Sequence, residues 1–388
     1  LESRSLLVNF KHILLVILSL SIPLSIAVSN ITLILLMITV VFEGDLKNKI
    51  RKICSSKWMV SIIILILLYY FYWFVFGTYS DTLWILKRVS ILWFLPVFYS
   101  TKFSYKITQK AVFVFLISMF ISSVIAISEN YGFINLNGDN WTWSAFLKYT
   151  DHNVFLALSI LILIYAYFNI ALSSLIKNIF IFFLLVYLFS IFSEAGKTGQ
   201  IALVLLIVVY IFQELRKNTK KLLLSLVLLF ISVYVIYNSS ENLQKRFEKE
   251  INMVLNKESS NRLLLLQHSV EIIKQKPFVG HGAGSFSDKF GAINEETNKI
   301  VRYNHKTPHN NYLYIWMELG MLGLVVLVSI FYFQIRELKI LNGGSTMVLL
   351  PIMYLLIMFT DSYFLSFNTL VLYIYISVII INYQCKPS

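Results

Sequence analysis

Residues 58–76 read WMVSIIILILLYYFYWFVF, an apolar run that no charge interrupts and that Lys57 immediately precedes. At about 1.5 Å of rise per residue, a helix of this length crosses most of the roughly 30 Å hydrocarbon core of a bilayer. Similar runs lie on both sides of it. Twelve spans are expected in all, over 11–28, 31–42, 58–76, 83–99, 111–128, 154–172, 178–192, 198–212, 222–237, 311–333, 346–360 and 364–383. The composition agrees: 58% of the 388 residues are apolar and 14% charged, with a mean hydropathy of +0.73. A soluble domain is about a quarter charged, so this chain lacks the polar surface for a water-facing globule of its size. The expected fold class is an all-α polytopic membrane protein.

The net charge of +13 is distributed as a topology signal, not as a nucleic-acid-binding patch. Even-numbered connectors carry Lys47, Lys49, Arg51, Lys52 and Lys57, then Lys102, Lys106 and Lys110, then Lys177, then Arg216, Lys217, Lys220 and Lys221, then Arg336 and Lys339. The odd-numbered short connectors, 77–82, 193–197 and 361–363, carry only Lys197. Positive charge is retained on the cytoplasmic side, which puts both termini in the cytoplasm. Cys54 and Cys385 then face a reducing compartment, where no structural disulfide is expected. The first span, followed by Ala27-Val28-Ser29, has features of a signal peptide. A second apolar run opens at Ile31, however, and a tight helical hairpin is the expected form.

Two connectors on the opposite side are long. Residues 129–153 are aromatic and polar, with Trp141, Trp143, Asp151 and His152. Residues 238–310 form a sizeable water-facing segment, with eleven Lys and Arg against eight Asp and Glu; long segments translocate largely regardless of charge. The chain thus divides into membrane helices over 1–237, a partly helical outer loop domain over 238–310, and membrane helices over 311–388. Within the loop, 241–256 reads as a charged amphipathic helix. A second helix over 260–276 has a Ser/Asn cap signal and stops at Pro277. Gly280, Gly282, Gly284 and Gly291 then mark an irregular, turn-rich segment. No solenoid-type period and no inverted repeat is visible, unlike many secondary transporters.

Function is sought where polar groups stand against expectation. Lys87 and Arg88 interrupt the fourth span near its outer end. They read as snorkelling side chains or partners of Asp81, or as an anion site at the level of a lipid phosphate. Ser193-Glu194-Ala195-Gly196-Lys197-Thr198-Gly199-Gln200 lacks the first glycine of a P-loop and lies on the wrong face for ATP. It is either a turn with Glu194 paired to Lys197, or an anion site with Lys197 at a helix N-terminus. Arg262 opens a helix, the end that disfavours a cation, which points to a partner outside its own helix.

Thr307-Pro308-His309-Asn310-Asn311-Tyr312 joins the outer loop to the tenth span, so His309 lies at the membrane surface. A neutral imidazole there suits general-base catalysis on a sugar hydroxyl, and equally suits helix capping. His152, His268, His281 and His305 show no zinc spacing, and no Asp-x-Asp pair for a metal-bridged nucleotide sugar occurs. No metal and no cofactor is expected. Gly280-His281-Gly282-Ala283-Gly284 follows a helix without a βαβ frame, so it is not a dinucleotide fingerprint.

In this order, these pieces resemble the O-antigen ligase/polymerase superfamily, whose members have about a dozen spans and a large periplasmic loop late in the chain. The family's Ser…Arg/Lys-Thr-Gly segment is seen here at 193–200. Its loop arginine and Pro-x-x-Gly-x-Gly-x-Gly-x-Phe run are seen as Arg262 and Pro277-Phe278-Val279-Gly280-His281-Gly282-Ala283-Gly284-Ser285-Phe286. Its Pro-His-Asn before Glu-x-Gly-x-x-Gly is seen as Pro308-His309-Asn310 and Glu318-Leu319-Gly320-Met321-Leu322-Gly323. Motifs match over 193–324, and topology throughout. Lys197 stands where arginine is commoner, a point charge in place of a bidentate grip, and Leu266 where an aromatic is frequent.

The resemblance implies a GT-C-like glycosyltransferase of lipopolysaccharide biosynthesis in the bacterial cell inner membrane, with its active site at the periplasmic face. The donor would be an undecaprenyl-diphosphate-linked glycan and the acceptor a hydroxyl of lipid A-core, in an inverting, metal-independent displacement. It implies His309 as the base and Arg262 and Lys197 as diphosphate contacts. Lys87 and Arg88 join that set from the anion-site reading, with Asn310 and Glu318 in support. Glu318 lies nine residues from His309, about two and a half helical turns, and should face another way. Membrane lipids are the other expected partners. Alternatives are a polymerase that uses a second lipid-linked glycan as acceptor, transfer to a protein, and a lipid-linked oligosaccharide flippase or transporter.

Overall fold

The computed structural model describes residues 2–138, 142–194, 196–239, 244, 248, 261–297, 305–342 and 346–383. Trp141, Ala195, Cys385 and nearly all of the amphipathic helix expected at 241–256 lie outside the described residues.

Lipid offers no partner to free backbone N–H and C=O groups, so the long elements are helices. α1 (Glu2–Ser21) and α2 (Ile26–Phe42) form a hairpin across Pro23, and the Ser25 hydroxyl caps α2 by accepting from the Val28 N–H. The expected span 11–28 therefore breaks before its end, because Pro23 lacks the N–H that a continuing helix needs. At Gly44 and Asp45, both with positive φ, the chain turns by 113° into the basic helix α3 (Leu46–Ser55), none of whose residues is buried. α4 (Lys57–Phe76) starts at Ser56, whose hydroxyl accepts from the Met59 N–H. Glu337 accepts from the Trp58 N–H at the same helix end (3.1 Å), where negative charge is favoured.

α5 (Thr82–Ser90), a 3-10 turn (Ile91–Trp93) and α6 (Phe94–Ser100) run end to end as one span. α7 (Tyr105–Asn130), α8 (Tyr149–Asn169), α9 (Ser174–Ser193), α10 (Lys197–Leu215) and α11 (Thr219–Ser239) follow, with a two-residue β-hairpin (Trp143–Ser144 against Leu147–Lys148) before α8. After α12 (Asn261–Gln275) and α13 (Phe286–Thr297) come α14 (Asn311–Asn342), α15 (Leu349–Ile357) and α16 (Phe367–Tyr383). The expected spans overlap these helices, with 11–28 divided at Pro23 and 83–99 formed by α5, the 3-10 turn and α6 together. Among the described residues, seven helical spans are long and apolar enough to cross a membrane, or eight if the bent α2–α3 pair counts as one. The chain is an all-α polytopic membrane protein.

α16 forms the central post: every side chain from Asn368 to Ile380 is buried. Lipid tails are as apolar as leucine, so close packing and polar cross-links hold such a helix in place. Tyr373 donates to Gln334 Oε1 (2.8 Å) and accepts from Trp58 Nε1 (3.2 Å), joining α16, α14 and α4. Tyr375 donates to Ser19 of α1 (2.9 Å), and Asn382 Oδ1 accepts from the Phe103 N–H (2.9 Å).

α14 is broken at Gly320 (φ 67°, ψ −167°). The break frees backbone groups that lipid could not satisfy, and the segment from Pro277 to Gly284 satisfies them as a strap. Met321 N–H and the Trp316 indole donate to the Pro277 carbonyl (3.0 and 2.8 Å), while His281 and Gly282 donate to the carbonyls of Met317 and Glu318 (both 2.9 Å). Gly280, Gly282 and Gly284 all have positive φ. A Cβ on Gly284 would strike the backbone of Thr82, and one on Gly320 the backbone of Phe278. Gly284→Ala and Gly320→Ala should each cost on the order of 1–3 kcal/mol, read as a lowered thermal unfolding midpoint in detergent; unchanged midpoints would refute the strap.

Candidate functional site

The tenth expected span begins with two asparagines that do different work. Asn310 caps α14: its Oδ1 accepts from the N–H groups of Tyr312 and Leu313 (3.0 and 3.1 Å), while its amide donates to the Phe359 carbonyl (3.3 Å). Asn311, fully buried, donates its N–H to the Met358 carbonyl (2.9 Å) and accepts from the Phe364 N–H at Oδ1 (3.0 Å). The start of α14 is thereby fastened to the turn between α15 and α16. Ahead of it His309 adopts a left-handed backbone, φ 52°, a conformation that non-glycine residues adopt mainly where their surroundings enforce it.

The reward of that geometry is a pair that crosses the turn. His309 Nδ1 lies 2.9 Å from Asp361 Oδ1, with the two side chains 31% and 26% exposed. The same carboxylate oxygen accepts from the Ser362 N–H (2.6 Å). Burial pushes the Asp361 carboxyl up, but the bond and charge of His309 outweigh it and hold the group below the usual range. A carboxylate accepts, so Nδ1 donates and the Nε2 lone pair is left to take a proton. Nε2 lies 3.4 Å from His305 Nδ1. Burial and the neighbouring His309 keep the His305 imidazole below its ordinary pKa.

The other motifs converge on the same turn. Arg262, exposed on the first turn of α12, donates from Nη2 to the Thr360 carbonyl (2.7 Å). Thr198, in the first turn of α10, donates to the Thr360 hydroxyl (3.1 Å), which donates to the Ile357 carbonyl (2.8 Å). Lys197 precedes it, half-buried at the N-terminus of α10. Glu194 is bound to His152 Nδ1 (2.7 Å) and to the Ser190 hydroxyl (3.1 Å), and Asn153 donates to the Gly196 carbonyl (2.9 Å). A Cβ on Gly196 or Gly199 would strike Asn153. That close approach is the reason for glycine on both sides of Lys197-Thr198.

Two expectations need adjusting. Arg88 turns inward between the rings of Trp84 and Phe367 (5.6 and 5.9 Å to the centroids), with Asp151 as an electrostatic partner, whereas Lys87 is exposed beside it. Asp81 pairs with neither: Lys306 Nζ holds it at 3.0 Å, and Ser287 donates to its other oxygen. Glu318 is fully buried, with Oε1 accepting from the Gly284 N–H (3.0 Å). It anchors the strap from a face remote from His309. The residue missed by sequence reading is Asp361. It is the sole charged residue between Leu349 and Tyr383, and a lone acid between apolar spans was the available signal.

Fold and cluster together define an integral membrane protein with cations and a histidine gathered at one end of a helix bundle. Residues 179–328 match the family model described as O-antigen ligase, so this part of the chain is similar to the O-antigen ligase/polymerase superfamily. That match includes Lys197, Arg262, His309, Asn310 and Glu318, and leaves Arg88 and Asp361 outside. The chain is also 25% identical over 197 residues to an uncharacterized protein of Haemophilus influenzae. The match covers 45% of this chain and 49% of that protein, so the chain spans about half the length of this relative.

A carboxyl held below its ordinary pKa adds stability that is fully present above the unfolded pKa and lost as pH falls through the folded one. The midpoint difference between the wild type and Asp361→Asn should therefore shrink as the solution is acidified past the carboxylate range. A difference that stays constant with pH would remove the ion pair from the account.

Proposed function

We propose that the chain transfers a glycan from an undecaprenyl-diphosphate-linked donor to a lipid A-core hydroxyl, at the periplasmic face of the bacterial inner membrane. The observation that carries this reading is the single turn at Thr360–Asp361, where His309, Arg262 and the N-terminus of α10 meet. In this reading the helices make twelve crossings in a GT-C-like arrangement with both termini cytoplasmic, and residues 238–310 form the periplasmic loop domain between membrane regions 1–237 and 311–388.

His309 Nε2 takes the acceptor hydroxyl proton while Asp361 holds the imidazole and stabilises its charged form. The acceptor oxygen then bonds to the anomeric carbon from the side opposite the diphosphate. The bond from that carbon to the diphosphate oxygen breaks, the electron pair leaves with undecaprenyl diphosphate, and configuration inverts. Arg262 keeps further guanidinium N–H groups for the diphosphate, and Lys197 adds a point charge at the N-terminus of α10. Arg88, with Lys87 next to it, supplies positive charge deeper along α5. These fixed cations stabilise the leaving group without a metal. Asn310 positions the base by capping α14, and Glu318 supports it by holding the strap. A polymerase would use the same centre with a second lipid-linked glycan as acceptor.

In membranes supplied with lipid-linked donor and acceptor, His309→Ala should abolish transfer while the protein still accumulates. Asp361→Asn should slow it by roughly 100-fold or more, and Arg262→Ala should leave lipid-linked glycan unconsumed. Full transfer by His309→Ala would end the base assignment, and wild-type donor consumption by Arg262→Ala would end the diphosphate assignment.

A further inference from the structure

α7 ends in the segment that leads to α8, and the first turn of α8 holds the turn before Lys197 through Asn153. The first turns of α7, including Lys110, therefore belong to the end of the bundle away from His309. There α1 and α7 part to leave a cleft of about 490 Å³. Its lining divides by chemistry into a polar limb, Asn9 and His12 of α1 with Lys110 of α7, and an apolar limb, Ile13, Val16 and Ile17 of α1, with Ile107 of α7 beside Lys110. Asn9, Ile13 and Ile17 repeat every four residues and so share one helix face. Asn9 and Lys110 are exposed and His12 is half-buried. Ile13 and Ile17 are 55% and 38% exposed, so the apolar limb opens sideways into the hydrocarbon.

Among the described residues, no carboxylate forms an ion pair with Lys110 in this cleft. The nearest cluster is self-contained: buried Lys11 lies 2.6 Å from Glu43 Oε1 and 2.8 Å from the Thr101 hydroxyl, and Glu43 Oε2 takes Lys49 (3.2 Å) and Thr101 (3.0 Å). Both oxygens of Glu43 are thus occupied by other groups. Burial pushes its carboxyl up, yet the Lys11 bond outweighs this and holds it below the usual range, so it stays charged and bound. No carboxylate lines the cleft, and among the described residues no ion pair engages Lys110. The His12 ring lies against Phe103 (6.3 Å between centroids), which limits its movement.

We propose that this cleft binds an anionic phospholipid, with its phosphate held by Lys110, His12 and Asn9 and one acyl chain lying along Ile13, Val16 and Ile17. The order of the limbs along α1, polar first and apolar deeper, follows the order of phosphate and chain in a bilayer leaflet. Positive charge at a helix pair near the interface attracts anionic headgroups, and the apolar limb distinguishes a lipid from a free phosphate. The site is independent of the proposed glycan transfer.

The test uses the full chain in neutral detergent and follows its thermal unfolding midpoint. Phosphatidylglycerol should raise the midpoint by several degrees, while phosphatidylcholine with the same chains and soluble glycerol phosphate should not. His12→Ala combined with Lys110→Ala should lose at least half of the shift, whereas Lys217→Ala, on an exposed connector, should keep it. Ile13→Trp fills the apolar limb without touching a charge and should lose the shift as well. An equal response to phosphatidylcholine, a shift from glycerol phosphate alone, or an undiminished response in the double variant or in Ile13→Trp would overturn the proposal.

Discussion

A helix that begins inside a membrane protein must find partners for its first backbone groups, because hydrocarbon supplies none. At α14 that obligation is met by Asn310 and Asn311, and the way it is met determines the functional end of the molecule. Asn310 satisfies the helix's own N–H groups. Asn311 spends its N–H and its side-chain oxygen on Met358 and Phe364, and so fuses the start of one helix to the turn between two others. Asp361 and Thr360 lie within the stretch so bracketed. Without these bonds, His309 would precede a helix with no set relation to its carboxylate, and Arg262 and Thr198 would have no common point of attachment.

Charge placement follows from the same scaffold. The left-handed backbone of His309 costs on the order of 1 kcal/mol or more, and the capping bonds and the Asp361 contact offset it. Each cation comes from a different part of the chain: Arg88 from α5, Lys197 from α10, Arg262 from α12. None is near another in sequence, so the positive field at this end is a product of tertiary structure. α16 holds the frame through Tyr373, Tyr375 and Asn382, whose polar bonds set where α1, α4, α14 and the α6–α7 connector stand.

Most of the helices were legible in the sequence because apolar length is a direct consequence of the solvent, and connector charge gave a consistent alternation. The first span was misplaced where Pro23 outweighed an apolar pattern that continued across it. The motif residues were legible as types at a spacing, and Gly280, Gly282 and Gly284 as turn glycines, whereas the close approach of Gly196 and Gly199 to Asn153 depends on a neighbouring helix and was not. Lys87 and Arg88 could not be separated by sequence, since adjacent helical residues differ in direction by about 100° and only the neighbours decide which turns inward. Asp361 was hidden for a different reason. Its partner is 52 residues away, and no local pattern announces a contact of that range.

The loop segments are fastened unevenly, which bears on how the lipid-linked donor proposed above would enter. On the side of α5 the attachment is dense. Thr82 donates to the Ala283 carbonyl (2.8 Å), Asp288 accepts from the Ser80 N–H (3.0 Å), and Asp81 takes both Ser287 and Lys306. On the side of the Thr360 turn, α12 is attached by the exposed Arg262 bond to a neutral carbonyl. A diphosphate offers the same guanidinium charged oxygens, and charge-assisted bonds are roughly twice as strong as neutral ones. An incoming anion therefore competes with the Thr360 carbonyl for Arg262. The Lys306–Asp81 pair and the Asn310, Asn311 and Asp361 bonds that place His309 do not involve Arg262.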